Sequence, residues 1–394
     1  MRCDECGFEN PLTLHTSRFT NEDTIPLTGY ATEVGTRRYR ERVVDSGLAH
    51  AEHFREGCDN LVLSSIGLGT YLGGHDEGTD SLYLAAIKQA VAAGCNVLDS
   101  AINYRCQRSE RVIRQALTEL AHDGLAVRDE ILVATKGGFI PYDGAPPRDP
   151  YAYLQQTFVM PGIIKTTDVV ADCHCMTPAF LRHQLETSLA NLGLSCVDVY
   201  YLHNPETQLD QVSEDEFLVR VRAAFEVLEE AVAQGKLRMY GTATWNGYRS
   251  RPGSRGHLSL EVLVRVAREV GGEDHHFKVI QFPYNLGMPE ALAEQTQQIN
   301  GKTVSLLEAA KALGMYVMSS ASILQGQLTR GLPIKLQTTL GEQTDAQRAI
   351  QFVRSTPGLG TALVGMKRAE HVRENLAVAR RAPLAPAQFS TIFT

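Results

Sequence analysis

Eight times between residues 63 and 380, a short apolar run rich in branched residues is followed by a stretch with helical spacing. The runs are 63–70, 95–101, 131–138, 197–204, 238–244, 277–285, 315–322 and 361–366. Helical spacing follows near 79–93, 109–122, 177–192, 214–234, 258–270, 303–313, 344–354 and 369–380. The runs are apolar on both faces, as strands are when crossover helices bury them in a parallel sheet. Eight such units predict an α/β chain folded as a (β/α)8 TIM barrel. A doubly wound open sheet is the runner-up. Local signals agree: Thr177-Pro178 opens one helix, and Gly193 and Gly235 follow the ends of two others.

Residues 1–60 lack a clear period and are rich in charge and turn formers, with one helix expected around Thr36–Val44. They read as an N-terminal extension, with the barrel over 61–394. Two connections are too long for simple turns: 139–176 after the third run and 323–343 after the seventh. On a barrel both leave from the C-terminal rim, where long loops are usually lids. Phe139, Tyr142, Tyr151, Tyr153 and Phe158 make 139–176 the expected lid, with apolar surface for a substrate. The insert GMPEALAEQTQQINGK and the loop Trp245-Asn246-Gly247-Tyr248 are expected to border the same site.

The formal net charge is −7 and there is no dominant basic block, which argues against nucleic acid as a partner. No apolar run of about 18 residues is present, so no membrane span is expected. The opening MRCDECGFEN is polar and acidic, unlike a secretory signal, and the cytoplasm is the expected location. Eight cysteines in 394 residues are too sparse for a disulfide scaffold and read as free thiols. Cys3 and Cys6 have the spacing of half a zinc knuckle, and Cys173 and Cys175 offer two more thiolates. A closed structural zinc needs four ligands. The second pair has the wrong spacing for a ribbon, so no metal is assigned and a small zinc or partner module in 1–60 stays an alternative.

Polar groups stand where three of the runs stop. Asp99 ends the second, Lys136 the third and His203 the fourth, and Tyr104 lies in the loop after Asp99. In a barrel these ends are neighbours on the face where sites form. A phenol has a pKa near 10 and is a poor acid alone, and a nearby ammonium is expected to lower that value. The carboxylate keeps the buried lysine charged. An imidazole can hydrogen-bond a carbonyl oxygen and orient it. Together the four groups deliver a proton to an oxygen becoming negative, which is the need of a carbonyl accepting hydride.

At these residues the chain resembles the aldo-keto reductase family, over roughly 60–380. The resemblance is carried by IGLGT, GCNVLDSAINY, SERVIRQAL, VATKGG, SLANLGLSCVDVYYLHNP, YGTATWN, IQFPYN, SILQGQL and VGMKRAEHVRENL, in that order. It implies a catalytic tetrad of Asp99, Tyr104, Lys136 and His203, with Tyr104 the general acid in reduction and the base in oxidation. It implies a nicotinamide dinucleotide bound without a Rossmann domain. Gly67 and Gly69 are too early and isolated for that domain's fingerprint. Gly69 and Thr70 would border the cofactor, and Gln281 would hold its carboxamide. The family's Ser-Asn pair after the fifth strand is Ala243-Thr244 here, where Thr244 keeps one donor. The aromatic that often stacks on the nicotinamide is Ser320. Glu374 and Asn375 match the adenine-contacting pair. The usual arginine is His371, and Gly365-Met366 replace a Lys-Ser pair. Lys367, Arg368 and Arg373 are candidates for a 2′-phosphate, because cations suit it, so NADP is expected, with NAD possible. By resemblance a monomer is the default, and the oligomeric state is open.

The reading that follows is an NAD(P)H-dependent oxidoreductase reducing a small aldehyde or ketone reversibly. The alternative is a catalytically diverged, cofactor-binding regulatory protein on the same barrel, motivated by Ala243, Thr244 and Ser320. Cys106, two residues past Tyr104, reads as a bystander thiol unless exposed at the rim.

Overall fold

A computed structural model describes residues 26–393; the Cys3-Cys6 pair lies outside them. Eight parallel strands close into a barrel in chain order. They are β1 Ile66–Gly69, β2 Val97–Asp99, β3 Leu132–Gly137, β4 Val197–His203, β5 Leu237–Ala243, β6 Phe277–Pro283, β7 Tyr316–Ser320 and β8 Thr361–Gly365. The crossover helices are α1 Glu77–Ala92, α2 Arg108–His122, α3 Pro178–Leu192, α4 Glu214–Ala233, α5 Leu260–Gly271, α6 Leu306–Ala312, α7 Asp345–Ser355 and α8 Ala369–Leu376. The barrel is thus closed, not the open sheet held as runner-up, and each expected run and helix lies within a few residues of its place.

Short polar residues start these helices. Asp76 accepts from Thr79 N, and Ser213 from Glu216 N. Ser305 with Glu308, and Thr344 with Gln347, form reciprocal capping boxes. Gly193 ends α3 at φ 60°, a conformation that costs a residue with a Cβ.

The segment before β1 closes the far end of the barrel. A hairpin pairs Phe54–Glu56 with Val62–Ser64. Its Leu61 and Leu63 pack with Val97, Leu132, Val199 and Met239 from inside the barrel. The helix expected near 36–44 runs Glu33–Asp45. It is fixed by Arg38 and Arg42 on the buried Glu130, at 2.9 and 2.8 Å. Ala31 N donates to Asp198 Oδ1 at 2.6 Å, and Arg128 pairs with Oδ2 at 2.7 Å.

Two histidines are buried without charge. His53 bonds Gly94 O and Ser65 Oγ, and burial pushes its pKa down to about 3. Burial pushes His174 to about 4. Unfolded imidazoles titrate near 6.5, so below that pH the unfolded chain binds more protons than the native one. The stability present above pH 6.5 should therefore be lost as pH falls through about 4, by on the order of 3 kcal/mol per histidine. Urea midpoints measured from pH 8 to 4 check this; a flat profile contradicts it.

No helix among the described residues is long and apolar enough to cross a membrane.

Candidate active site

Strand register brings the polar ends together. Asp99 stands beside Ala134 of β3 and Gly69 of β1, and His203 beside Ala243, which neighbours Gln281. A cavity of about 1150 Å³ opens above them. Asp99, Tyr104 and His203 line it, together with Gly69, Thr70, Thr244, Gln281, Ser320, Lys367, His371, Glu374 and Asn375. Two residues of the expected cofactor set are elsewhere: Arg373 and Arg368 lie off the lining, and Arg368 pairs with Glu370 at 3.6 Å, an exposed contact.

Lys136 sits beneath the lining, fully buried. Its Nζ donates to Asp99 Oδ2 at 2.6 Å and to Ser100 O at 2.7 Å. Gln281 Nε2 donates to Asp99 Oδ1 at 2.8 Å. The carboxylate is thereby held by two donors, and the ammonium by two acceptors. Burial lowers the Lys136 pKa while Asp99 opposes the fall. Nζ lies 4.8 Å from the Tyr104 ring centroid. The Tyr104 and His203 rings meet edge to face at 5.7 Å, and Phe139 meets His203 at 4.9 Å.

The phenol differs from the expectation that lysine would lower its pKa. Burial, then Asp99 and Tyr71, hold Tyr104 well above 10. The physical reason is burial: desolvation of the phenolate dominates, and the nearby Asp99 carboxylate adds to it. Tyr104 is therefore a neutral donor at pH 7. Burial, with Lys136 and His174 second and third, holds His203 well below 6.5, so its imidazole is neutral too.

Of the five aromatics expected to line a lid, Phe139 alone borders the cavity. Phe158 turns into a small core with Ile164, Cys175 and Phe180, so 139–176 packs mainly on itself and on α3. The 323–343 segment does border the cavity, through Gln325, Gln327, Thr329 and Arg330. Trp245 lines it, but Tyr248 is buried behind on Thr242, and the 287–302 insert is off the lining. That insert folds as a hairpin, Gln297–Ile299 with Lys302–Val304, pinned over α5 by Gln297. Cys106 is 4% exposed and burial raises its pKa, so it is no rim thiol. Both nitrogens of His174 are bonded within the protein, and no group of three metal-ligating side chains occurs among the described residues.

Sequence reasoning missed two supporting residues. Glu206 Oε1 accepts from the backbone N–H groups of Trp245, Asn246 and Gly247 at 2.8, 3.1 and 3.2 Å. It holds the Trp245 loop at the cavity wall. His174 donates to the carbonyl of His203. Neither has a local signature, since each acts on backbone far away in sequence.

Residues 65–250 match the model of the Aldo/keto reductase family. Over those residues the chain is similar to the aldo/keto reductases. An aldo/keto reductase from Klebsiella pneumoniae, solved with NADP and acetate, superposes with a TM-score of 0.58 at 21% identity, covering 86% of this chain and 94% of that one. The holo form of a Bacillus halodurans aldo-keto reductase gives 0.59 at 18%, covering 86% and 95%. These likenesses concern the fold. In sequence, the NADH-specific methylglyoxal reductase of Escherichia coli (strain K12) is 25% identical over 48% of this chain; the match spans half the length of that relative. A putative voltage-gated potassium channel subunit beta of Schizosaccharomyces pombe is 25% identical over 81% of this chain and 86% of its own length.

Proposed function

We propose that this aldo/keto reductase barrel is an NAD(P)H-dependent oxidoreductase that reduces an aldehyde or ketone to an alcohol, reversibly. The observation that carries the reading is the meeting of Tyr104 and His203 over the Lys136–Asp99 pair, in one wall of a cavity large enough for a dinucleotide. The cavity exceeds the roughly 300–1,000 Å³ of ordinary small-ligand sites.

The residues present fit such a cofactor. Thr244 Oγ1 is buried on the cavity wall without a partner among the described residues, an orphan that a carboxamide would satisfy. Thr244 and Gln281 would hold the amide, while Gly69, Thr70 and Ser320 border it. Lys367 and His371 would take the phosphates, with Glu374 and Asn375 on the adenine. Lys367 favours NADP, although the Escherichia coli relative is named as NADH-specific. A bound nicotinamide supplies the hydride.

The chain's own residues do the rest. His203, neutral, hydrogen-bonds the substrate oxygen and orients the carbonyl. Tyr104 hands its proton to that oxygen as charge develops, and recovers it in oxidation. The Lys136–Asp99 pair supports the phenol from below, and Phe139 and Trp245 give the pocket apolar walls.

A second reading has one specific support: the likeness to a putative channel subunit, with Ala243, Thr244 and Ser320 in the cradle, suits a cofactor-binding regulatory protein. Titrating the protein into NADPH and following nicotinamide fluorescence, then turnover over a panel of aldehydes and ketones, separates the two. Saturable binding with turnover is expected. Binding without turnover on any carbonyl favours the regulatory reading, and no fluorescence change removes both.

A further inference from the structure

Among the described residues the imidazole of His203 lacks the hydrogen bond that usually fixes a working histidine: its Nδ1 is buried with no partner there. Its orientation must come from elsewhere. Two rings wedge it, Tyr104 and Phe139. Its main chain is clamped at both ends of the following peptide. The carbonyl of His203 accepts from His174 Nε2 at 2.7 Å, and the N–H of Asn204 donates to Ala243 O at 2.6 Å. Asn204 itself is in the left-handed region, at φ 47°, a conformation that needs surroundings to hold it.

The proton on His174 is set by a chain of partners. Glu216 pairs with Arg220 at 2.9 Å, and Arg220 Nη1 donates to Gln208 Oε1 at 2.5 Å. That fixes the amide, so Gln208 Nε2 is the atom 2.8 Å from His174 Nδ1, and donates to it. Nδ1 is then an acceptor, and the proton is on Nε2, aimed at His203 O. His174 is fully buried. It also pins the 139–176 insertion: it bridges Phe139 and Val170 in strand fashion, and Phe139 stacks edge-on against it at 5.1 Å. One residue therefore touches both the peptide and the aromatic neighbour of His203.

We propose that His174 is a positioning residue that fixes the peptide after His203 and with it the imidazole, and that Gln208 and Arg220 set the tautomer that lets it do so. The proposal rests on His203 orienting a substrate carbonyl. On this account the 139–176 insertion serves to carry His174 to the end of β4.

The test uses the full chain, its His174→Leu and His174→Gln variants, and Gln208→Leu. Gln at 174 keeps an amide N–H where Nε2–H stands; Leu does not. Histidine-ring 1H–15N correlation spectra of the wild type at pH 8 should show the proton of His174 on Nε2. In His174→Leu the ring signals of His203 should shift, and kcat should fall about tenfold or more with cofactor affinity kept, since small misplacements in a site cost that much or more. His174→Gln should recover most of the loss, and Gln208→Leu should leave a mixture of tautomers. Unchanged His203 signals in His174→Leu overturn the proposal, as does an Nδ1 proton in the wild type or a His174→Gln variant as impaired as His174→Leu. Should the wild type reduce no carbonyl, the reductase reading fails while the spectra still decide this one.

Discussion

Tyr104→Phe should lower turnover by about 10²-fold or more while leaving cofactor affinity within about twofold, because it removes only a hydroxyl whose part is proton delivery. On the proposed reading Tyr104 is the donor, and its surroundings set its protonation state. Burial and Asp99 keep the phenol protonated far into alkaline pH, so at pH 7 every molecule holds the proton that reduction needs. The donor must release it to an oxygen that becomes an alkoxide, itself strongly basic, and a neutral phenol suits that transfer. His203, also neutral, cannot replace it, since burial and Lys136 oppose an imidazolium there. Steady-state rates and a fluorescence titration on wild type and variant check both halves. A variant that turns over like the wild type removes Tyr104 from the chemistry.

Lys136→Met should be the most destabilising change in the site. It leaves Asp99, 4% exposed, with Gln281 as its one remaining side-chain donor among the described residues. Breaking a buried pair by removing one partner costs about 3–5 kcal/mol, because the other charge is left uncompensated. Adding Asp99→Asn should recover much of that loss, since no charge then remains to bury. Activity should not return, since the phenol would have lost its support. Urea denaturation of wild type, the single variant and the double variant measures the cycle. A double variant no more stable than Lys136→Met would show that the two side chains do not act as a pair.

What was legible in the sequence follows the physics of each feature. Parallel strands advertise themselves by runs apolar on both faces, and Asp99, Lys136 and His203 were visible because each stands where such a run stops. The cavity joins Tyr104 to His371 and Asn375, more than 250 positions apart, because β1 and β8 are neighbours in the closed barrel. The supporting residues were not legible. Glu206 binds three backbone groups near 245, and His174 one at 203, and nothing beside them in sequence marks these targets. Tyr153 and Phe158 misled because an aromatic-rich insertion can turn its rings away from the site, here into a small core with Phe180 of α3, while Tyr151 stays exposed to solvent. The phenol's shift had the wrong sign because it depends on how deeply the ring is buried and on how near the Asp99 carboxylate stands, and neither is a matter of composition.

The central claim is direct hydride delivery at the mouth of this barrel, completed by the proton of Tyr104. Supplying NADPH deuterated at the transferring C4 position, with an aldehyde that the wild type consumes, tests it most directly. The expected product is an alcohol carrying deuterium on its carbinol carbon, formed at a rate that Tyr104→Phe depresses. An alcohol free of deuterium, or labelled alcohol formed equally fast by both proteins, would contradict it.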